Sequence, residues 1–353
     1  MSEFGLATRG MGLAAQFKIL KRHGYSLLRH MTPAKLANFV RAEANALLRS
    51  STPGSYPYIL KIESTNICSL RCHHCYDDRR PPREGERPYG RMRLEDFRKV
   101  VDETGRYLFK INLYGFGEPW LFPETFAMIR YATERNIGVG VSSNMNHRDM
   151  SLNEQIVASG LEVLIFSCHG ATQETYRRFM GNGDMDLAFR NIREVIAARR
   201  RLNRATPLID WQFCVTGFNE HEIGAARRIA AEMGVDQVRF IRPLFPPDAS
   251  PEWFSKMFPK VQETASEKTP TRCPWLYRSA YVNYDGGVLP CCRDTRVIAN
   301  DYGNSRDQDF RAIWNNATYA ASRRLVARPD GVPGGPRTLC ASCPIVLERR
   351  RGG

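Results

Sequence analysis

The sequence predicts an α/β protein in which a parallel sheet closes into a partial barrel and a small cysteine-bearing module follows. Three observations lead to this fold class. From residue 57 onward, strand-like and helix-like segments alternate six times, as they do where crossover helices join parallel strands. The chain has 353 residues, which is enough for such a barrel and one further module. Five cysteines fall between residues 273 and 343, behind a Pro-rich and polar stretch.

Residues 1–56 are predicted to form an N-terminal helical segment. Thr32-Pro33 provides a helix cap and a first turn. One face of the helix that follows is apolar: Leu36, Phe39, Val40, Leu47 and Leu48. A basic amphipathic helix can lie on a membrane surface, but more often it packs against its own domain. We expect packing against the domain, with peripheral membrane contact as the alternative.

Residues 57–245 form the predicted barrel. The candidate strands are 58–63, 108–115, 138–143, 161–167, 208–216 and 236–242. The candidate helices lie near 94–105, 123–135, 151–159, 184–201 and 219–233. Functional residues of such barrels gather at the carboxyl ends of the strands. A cluster of cysteines lies directly after the first strand, where that rule places it.

Side chains alternate between polar and apolar along these strands. In the second strand, Lys110 and Asn112 share one face, whereas Ile111 and Leu113 share the other. The apolar faces should pack under the helices, so that the polar faces line the lumen. Buried polar groups need hydrogen-bond partners, which either a polar substrate or the lumen itself would supply.

Three further segments follow the barrel. Residues 246–272 are predicted to be a linker, 273–346 a second module and 347–353 a basic tail. The second module should contain a β-hairpin that turns at Asp285-Gly286, because this dipeptide favours tight hairpin turns.

The net charge of +14 is concentrated at the two ends of the chain. Residues 1–50 carry eight Lys or Arg and two Glu, and residues 322–353 carry seven Arg and two acids. No nucleic-acid-binding module accompanies this charge, so no nucleic acid is expected as a partner. No apolar run approaches the roughly 18 residues of a membrane span, and no secretory signal is recognisable. We expect a cytoplasmic location, where thiols stay reduced and serve as metal ligands.

Cys68, Cys72 and Cys75 are the most informative residues of the chain. Three thiolates on one short loop suit a cubic iron–sulfur cluster in which one iron keeps an open coordination position. A structural zinc site would need a fourth ligand. His73 and His74 are the nearby choices, but their place between Cys72 and Cys75 would strain a tetrahedral arrangement.

This Cys-x3-Cys-x2-Cys spacing after a strand resembles the signature of the radical S-adenosylmethionine (AdoMet) enzymes. The resemblance implies a TIM-like barrel and a [4Fe-4S] cluster held by Cys68, Cys72 and Cys75. AdoMet would bind the open iron, and its reductive cleavage would release a 5′-deoxyadenosyl radical that abstracts hydrogen from the substrate. The electron would come from a flavodoxin- or ferredoxin-type donor.

Three further segments resemble AdoMet-binding motifs of this family. Residues 114–119 are similar to its Gly-Gly-Glu-Pro motif, residues 142–144 to a Thr-Asn-Gly segment, and residues 166–170 to a Ser-x-Asp-Gly run. The resemblance implies these AdoMet-binding residues: Gly115, Gly117, Glu118, Ser143, Asn144 and Ser167. Glu118 would bind the AdoMet ammonium group, because a carboxylate complements a cation.

The C-terminal cysteines resemble the SPASM/twitch extension of the same family. The pattern implies one auxiliary [4Fe-4S] cluster held by four thiolates: Cys273, Cys291, Cys340 and Cys343. Cys292 would then be a neighbour and not a ligand, and structural zinc is the alternative occupant. The complete prediction is a partial (β/α)6 TIM-like barrel with a C-terminal SPASM/twitch-like Fe–S module.

The polar lumen and the resemblance together predict an enzyme that abstracts hydrogen from a small polar metabolite, such as a sugar, cyclitol or nucleoside. Oxidation, epimerisation and decarboxylation of that substrate all fit the prediction. His169, Lys110 and Arg242 are the candidate proton-transfer residues, and Arg242 could equally bind a carboxylate. A peptide-modifying (RiPP) radical maturase and a non-catalytic Fe–S electron-transfer protein are the alternatives.

Overall fold

The computed structural model describes residues 25–75, 80–243, 249–257, 273, 275–329, 335–344 and 346–347. The beginning of the predicted N-terminal segment, most of the predicted linker and nearly all of the predicted basic tail lie outside these residues. The first long helix is α1 (Pro33–Leu48), which precedes the barrel.

Strands and helices alternate through the barrel as the sequence predicts. The strands are β1 (Ile59–Ile62), β2 (Lys110–Leu113), β3 (Gly138–Ser143), β4 (Val163–Ser167), β5 (Leu208–Cys214) and β6 (Gln237–Ile241). The helices are α2 (Leu94–Thr104), α3 (Glu124–Thr133), α4 (Ser151–Ala158), α5 (Gln173–Met180), α6 (Met185–Arg201) and α7 (Ile223–Met233). Helix α5 is an addition to the predicted helices.

The barrel strands lie side by side in chain order and run parallel. The register pairs Lys61 of β1 with Asn112 of β2. Because the six strands run the same way, their carboxyl ends and the loops that follow lie at one edge of the sheet. This carboxyl edge carries the cysteine loop and the predicted AdoMet motifs, so the sheet brings together segments that are far apart in sequence.

The C-terminal module continues the same sheet. It adds three strands: β7 (Ser279–Val282), β8 (Gly287–Leu289) and β9 (Gly303–Asn304). β7 pairs with β1 in parallel, and β8 and β9 follow in antiparallel order. The predicted hairpin is confirmed, and Gly286 has a φ of 89° at its turn, in the left-handed region that glycine tolerates. The module also contains α8 (Trp275–Arg278), α9 (Phe310–Trp314) and α10 (Ala317–Ala327).

The two faces of the barrel sheet differ as the alternation predicts. Ile111 and Leu113 are fully buried in the main apolar core. Lys110 and Asn112 lie on the other face, against Gly140 of β3. A Cβ at Gly140 would lie 3.3 Å from Lys110 Cε and 3.5 Å from Asn112 Oδ1. Glycine at this position therefore makes room for two polar side chains inside the barrel.

Part of the polar lumen is satisfied by the protein itself. Arg239 Nε lies 2.8 Å from both carboxylate oxygens of Asp210, and Arg239 Nη2 donates to Gln212 Oε1 at 3.1 Å. The side chains of Asp210 and Arg239 are 1% and 3% exposed. Between β5 and β6, the polar groups of the lumen therefore hydrogen-bond to one another and need no substrate.

The buried Asp210–Arg239 ion pair leads to a stability prediction. Asp210→Ala should lower the free energy of unfolding by about 3–5 kcal/mol, because it leaves a buried guanidinium without its carboxylate. Asp102→Ala is the matched control, since Asp102 is 55% exposed in its pair with Arg135 and such pairs contribute about 1 kcal/mol or less. Chemical denaturation of both variants tests this, and equal losses would show that burial does not set the cost.

Most of the apolar face predicted for α1 points outward, which corrects that part of the prediction, whereas Phe39 of the same face packs against Tyr58 and Phe109. Its exposed side chains are Leu36, Val40, Leu47 and Leu48. The buried face carries Lys35, which donates to the Asn136 carbonyl, and Asn38, which exchanges two hydrogen bonds with the backbone of Tyr56. Specific polar contacts thus orient the helix. No helix of the described residues is long and apolar enough to cross a membrane.

Residues 249–257, the described part of the predicted linker, pack against the barrel. Trp253 is buried, and its ring centroid lies 5.7 Å from that of Phe179 and 5.0 Å from that of Phe218. The ring of His74 in the cysteine loop meets Trp253 edge to face at 4.6 Å. The Pro-rich, polar composition of this segment therefore gave no sign of the buried aromatic side chain that anchors it to the barrel.

Candidate active site

The cysteine loop follows β1 and lies at the carboxyl edge of the sheet. Cys68 Sγ accepts hydrogen bonds from the Leu70 backbone N–H at 3.4 Å and from Asn144 Nδ2 at 3.6 Å. The His73 backbone N–H donates to the Phe179 carbonyl at 2.9 Å. The loop is therefore fixed on one side by the end of β3 and on the other by α5.

The three thiols of the loop influence one another. Burial raises the pKa of Cys72, and the nearby thiols of Cys75 and Cys68 raise it further. Crowded thiols ionise readily only when a cation neutralises them, and iron ligation would do so. Within the described parts of the chain, no three His, Cys, Asp or Glu side chains converge into a metal site. The fit to a cluster therefore rests on the spacing and chemistry of the donors.

The motif at residues 114–119 docks on the chain that leads into the cysteine loop. The Gly117 N–H donates to the Thr65 carbonyl at 3.2 Å, and the Glu118 N–H donates to the Ile67 carbonyl at 2.9 Å. A Cβ at Gly117 would overlap the Thr65 carbonyl oxygen and lie 2.7 Å from that of Ile67. Glycine is required because two backbone segments touch here, and their contact fixes the cysteine loop relative to the motif.

The carboxylate of Glu118 joins this motif to the end of β3. Its Oε1 accepts from Ser143 Oγ at 2.8 Å, and its Oε2 accepts from the Asn144 N–H at 2.9 Å. Burial raises the pKa of Glu118 to about 7, against hydrogen bonds from Asn144, Ser143 and Trp120 that lower it. A carboxylate has about four acceptor sites, so Glu118 can bind a ligand ammonium as well.

The predicted AdoMet-binding residues gather at the carboxyl edge of the sheet. Ser167 ends β4, and its Oγ lies 3.0 Å from Ser142 Oγ on β3. A Cβ at Gly115 would lie 2.5 Å from Tyr281 Oη and overlap the carboxylate of Glu63. Gly115, like Gly117, is thus explained by close packing within the protein.

His169 is buried and contacts the surrounding protein. Its Nδ1 accepts a hydrogen bond from the Cys214 N–H at 3.2 Å, and its ring centroid lies 4.4 Å from that of Phe179. Burial lowers the pKa of His169 to about 4, so the ring is neutral near pH 7. These contacts favour a positioning role for His169 over the predicted proton transfer.

Lys110 and Arg242, the other predicted proton-transfer residues, lie at opposite edges of the sheet. Lys110 begins β2, about 13 Å of extended chain away from Tyr114, and lies toward the amino ends of the strands. Burial raises the pKa of nearby Glu162, but the hydrogen bond from His30 and the positive charge of Lys110 outweigh burial. The pKa of Glu162 is therefore below its usual value. Arg242 directly follows β6 at the carboxyl edge, and burial lowers its pKa. Arg242 is therefore better placed than Lys110 to contact a substrate at the carboxyl edge.

Glu63 and Tyr281 are buried at the carboxyl edge, and neither is among the site residues predicted from the sequence. Glu63 Oε1 accepts from the Phe116 N–H at 3.0 Å and from Tyr281 Oη at 3.3 Å. Lys61 and Glu63 alternate with apolar residues along the first strand, which is the signal that could have found the carboxylate. Tyr281 could be found only once β7 was known to pair with β1.

The second cysteine set lines a cavity in the C-terminal module. The four predicted ligands all line it: Cys273, Cys291, Cys340 and Cys343. Burial, together with smaller contributions from neighbouring thiols of the set, raises the pKa of Cys273 to about 12 and that of Cys340 to about 11. Cys292 is not part of the cavity lining. The donor set fits a four-thiolate cluster or zinc.

This arrangement predicts different effects for two adjacent cysteines. Cys291→Ser should remove the auxiliary cluster and lower the iron content by roughly four atoms per chain. Cys292→Ser, the matched control, should keep the full iron content. Iron and acid-labile sulfide analysis of anaerobically reconstituted protein tests this, and loss of iron from the Cys292 variant alone would reverse the assignment.

The parallel barrel and the two sets of thiols are typical of an enzyme that uses iron–sulfur clusters for radical chemistry. Residues 62–224 match the model of the Radical SAM superfamily, and residues 273–344 match the SPASM model, an iron-sulfur cluster-binding domain. The chain belongs to the radical SAM superfamily and carries a SPASM domain. These domains imply a [4Fe-4S] cluster, an auxiliary cluster and AdoMet as cofactors.

Two relatives align with most of the chain. A tungsten-containing aldehyde ferredoxin oxidoreductase cofactor-modifying protein of Pyrococcus furiosus is 22% identical over 74% of this chain and 81% of its own length. The AdoMet-dependent heme synthase of Methanosarcina barkeri is 26% identical over 81% of this chain and 91% of its own length.

A solved structure shares the fold. Streptococcus suis SuiB bound to S-adenosylmethionine has a TM-score of 0.62 and 14% identity, and the match covers 88% of this chain and 76% of SuiB. SuiB has also been solved with its precursor peptide SuiA. At this identity the likeness shows the fold alone.

Proposed function

We propose that this radical SAM enzyme abstracts a hydrogen atom from a small polar metabolite, such as a sugar, cyclitol or nucleoside, that is then oxidised, epimerised or decarboxylated. Cys68, Cys72 and Cys75 hold the catalytic cluster. The auxiliary cluster has four ligands: Cys273, Cys291, Cys340 and Cys343. When bound, the catalytic cluster and AdoMet supply the radical that abstracts hydrogen.

The polar lumen carries this proposal. Asn112 lies in the lumen and is 7% exposed, and Thr216, two residues beyond β5, is fully buried. Among the described residues, Asn112 Oδ1 and Thr216 Oγ1 have no hydrogen-bond partner. A buried polar atom without a partner costs about 1–3 kcal/mol. Substrate hydroxyl or amino groups would offset that cost, whereas a hydrocarbon substrate would not.

The chain's own residues position the reactants in this proposal. The AdoMet side consists of Gly115, Gly117, Glu118, Ser143, Asn144 and Ser167. Glu118 binds the AdoMet ammonium while it stays bonded to the end of β3. Arg242 binds an anionic substrate group, since a guanidinium complements a carboxylate. A flavodoxin- or ferredoxin-type protein donates the electron, in a cytoplasm that keeps the thiols reduced.

A peptide-modifying maturase is the second candidate. The fold shared with SuiB, which binds a precursor peptide, favours it. The third alternative of the sequence analysis, a non-catalytic electron-transfer protein, is not retained because the chain belongs to a family whose relatives include a synthase.

Deuterium transfer tests the proposed substrate class. The reconstituted enzyme is incubated anaerobically with AdoMet, dithionite and extracts of cells grown in D2O, separated into polar small-molecule, peptide and lipid fractions. We expect deuterated 5′-deoxyadenosine from the polar small-molecule fraction. Deuterium from the peptide fraction alone would establish the maturase, and deuterium from the lipid fraction alone would refute the polar substrate.

A further inference from the structure

We infer that Glu63 and Tyr281 form a proton-accepting pair that faces the substrate, with Tyr281 supplied by the C-terminal module. The inference rests on the proposed function and narrows its substrate class. The substrate should carry a hydroxyl or ammonium group close to the carbon that loses hydrogen, because the pair lies beside the AdoMet motif.

The position of Glu63 links the cysteine loop and the AdoMet motif. Glu63 directly follows β1 and precedes Cys68 by five residues. Its carboxylate is 2% exposed and accepts the backbone N–H of Phe116, inside the motif at residues 114–119. The absence of a Cβ at Gly115 leaves the space that this carboxylate and the Tyr281 hydroxyl occupy.

The pairing of β7 with β1 places Tyr281 beside Glu63. Lys61 and Tyr281 are register partners in these parallel strands, and register partners point to the same face of a sheet. Lys61 Nζ lies 5.9 Å from the centroid of the Tyr281 ring, and Tyr281 Oη donates to Glu63 Oε1 at 3.3 Å. The C-terminal module therefore contributes a side chain to the polar face of the barrel.

The contacts leave part of the carboxylate available to a ligand. Within the described residues, both hydrogen bonds to Glu63 reach Oε1. Oε2 can therefore accept a proton from the substrate. In that step a substrate O–H or N–H bond breaks and an O–H bond forms on Glu63, with no change in electron count. Tyr281 donates to the other oxygen, Oε1, and so keeps the carboxylate oriented throughout.

The charges around Glu63 set the pH range of this step. Burial raises the pKa of Glu63 to about 7, against hydrogen bonds from Phe116 and Tyr281 and the charges of Arg87 and Lys61, which lower it. Tyr284, which follows β7, is a further titratable neighbour, and the charge of Glu63 contributes to raising its pKa. Because a base must be deprotonated to act, deuterium transfer should rise as pH increases through about 7.

Glu63→Gln and Tyr281→Phe test the inference with two readouts. The first is 5′-deoxyadenosine formed with dithionite alone, and the second is its deuterium content with the polar fraction from D2O-grown cells. Glu63→Gln should lower the second about 100-fold relative to the amount of 5′-deoxyadenosine formed, as loss of a general base does. Tyr281→Phe should shift the pH midpoint of deuterium transfer upward, because the charged carboxylate loses a donor.

The Tyr58–Glu43 pair supplies matched controls. Tyr58 Oη donates to Glu43 Oε1 at 2.8 Å just ahead of β1, away from the carboxyl edge. Tyr58→Phe and Glu43→Gln should leave the deuterium content and the pH midpoint unchanged. Iron and sulfide contents show whether each variant folds and binds its clusters. If Glu63→Gln does not bind its clusters, the pH midpoint of deuterium transfer by Tyr281→Phe tests the inference instead.

Two results would overturn the pair. One is wild-type deuterium transfer by Glu63→Gln, and the other is an unshifted pH midpoint in a fully loaded Tyr281→Phe. A wild-type enzyme that cleaves AdoMet but takes no deuterium from the polar fraction would overturn the proposed function itself, and the inference with it. The two failures are therefore distinguishable.

Discussion

Replacing Cys72 with alanine should abolish the reductive cleavage of AdoMet. The cube needs all three thiolates of the loop, so two cannot hold it with an open iron in a fixed place. We expect 5′-deoxyadenosine to fall below detection in anaerobic assays with dithionite, and the iron content to fall by roughly four atoms per chain. Chromatography and iron analysis of the reconstituted variant measure both.

Cys168→Ala is the matched control for this prediction. Cys168 is fully buried in the main apolar core, and its thiol donates to the Gly170 carbonyl at 3.4 Å. Its loss should cost about 1 kcal/mol of stability and leave AdoMet cleavage intact. A Cys72 variant that keeps its iron and still cleaves AdoMet would refute the cluster assignment.

Gly117→Ala should disable the enzyme without removing any ligand. The new Cβ would overlap the Thr65 carbonyl oxygen and crowd that of Ile67, and these are backbone atoms that no rotamer change can move. We expect a loss of about 1–3 kcal/mol in unfolding free energy. AdoMet cleavage should fall about 100-fold, because a displacement of about 1 Å at a reacting centre has that effect.

Gly224→Ala provides the control for backbone crowding. Gly224 lies in α7, where the nearest atom to a new Cβ is Arg228 Nη1 at 3.8 Å. Alanine in this helix should be neutral or stabilise by about 0.5–1 kcal/mol. Denaturation curves and deoxyadenosine assays of both variants test the pair, and full activity of Gly117→Ala would show that the motif does not fix the cysteine loop.

Local patterns were sufficient to predict the barrel. Alternation of polar and apolar residues located β1 to β6, and it placed Ile111 and Leu113 in the core with Lys110 and Asn112 inside the lumen. The Asp285-Gly286 turn was found because turn chemistry depends on neighbouring residues. The family resemblance was also found, since it rests on short motifs.

Long-range contacts could not be predicted in the same way. The C-terminal module was predicted to be separate from the barrel. In the structure, β7 extends the barrel sheet and places Tyr281 beside Glu63. Most of the apolar face of α1 points outward because Lys35 and Asn38 bind specific polar partners, which apolar periodicity does not predict. Trp253 was missed because one aromatic in a Pro-rich stretch gives no periodic signal.

Product analysis of the reconstituted enzyme tests the central claim most directly. The protein is loaded with iron and sulfide under anaerobic conditions, reduced with dithionite and supplied with AdoMet. Our account predicts that methionine and 5′-deoxyadenosine appear together in equal amounts. A fully loaded and reduced protein that leaves AdoMet unchanged would contradict it.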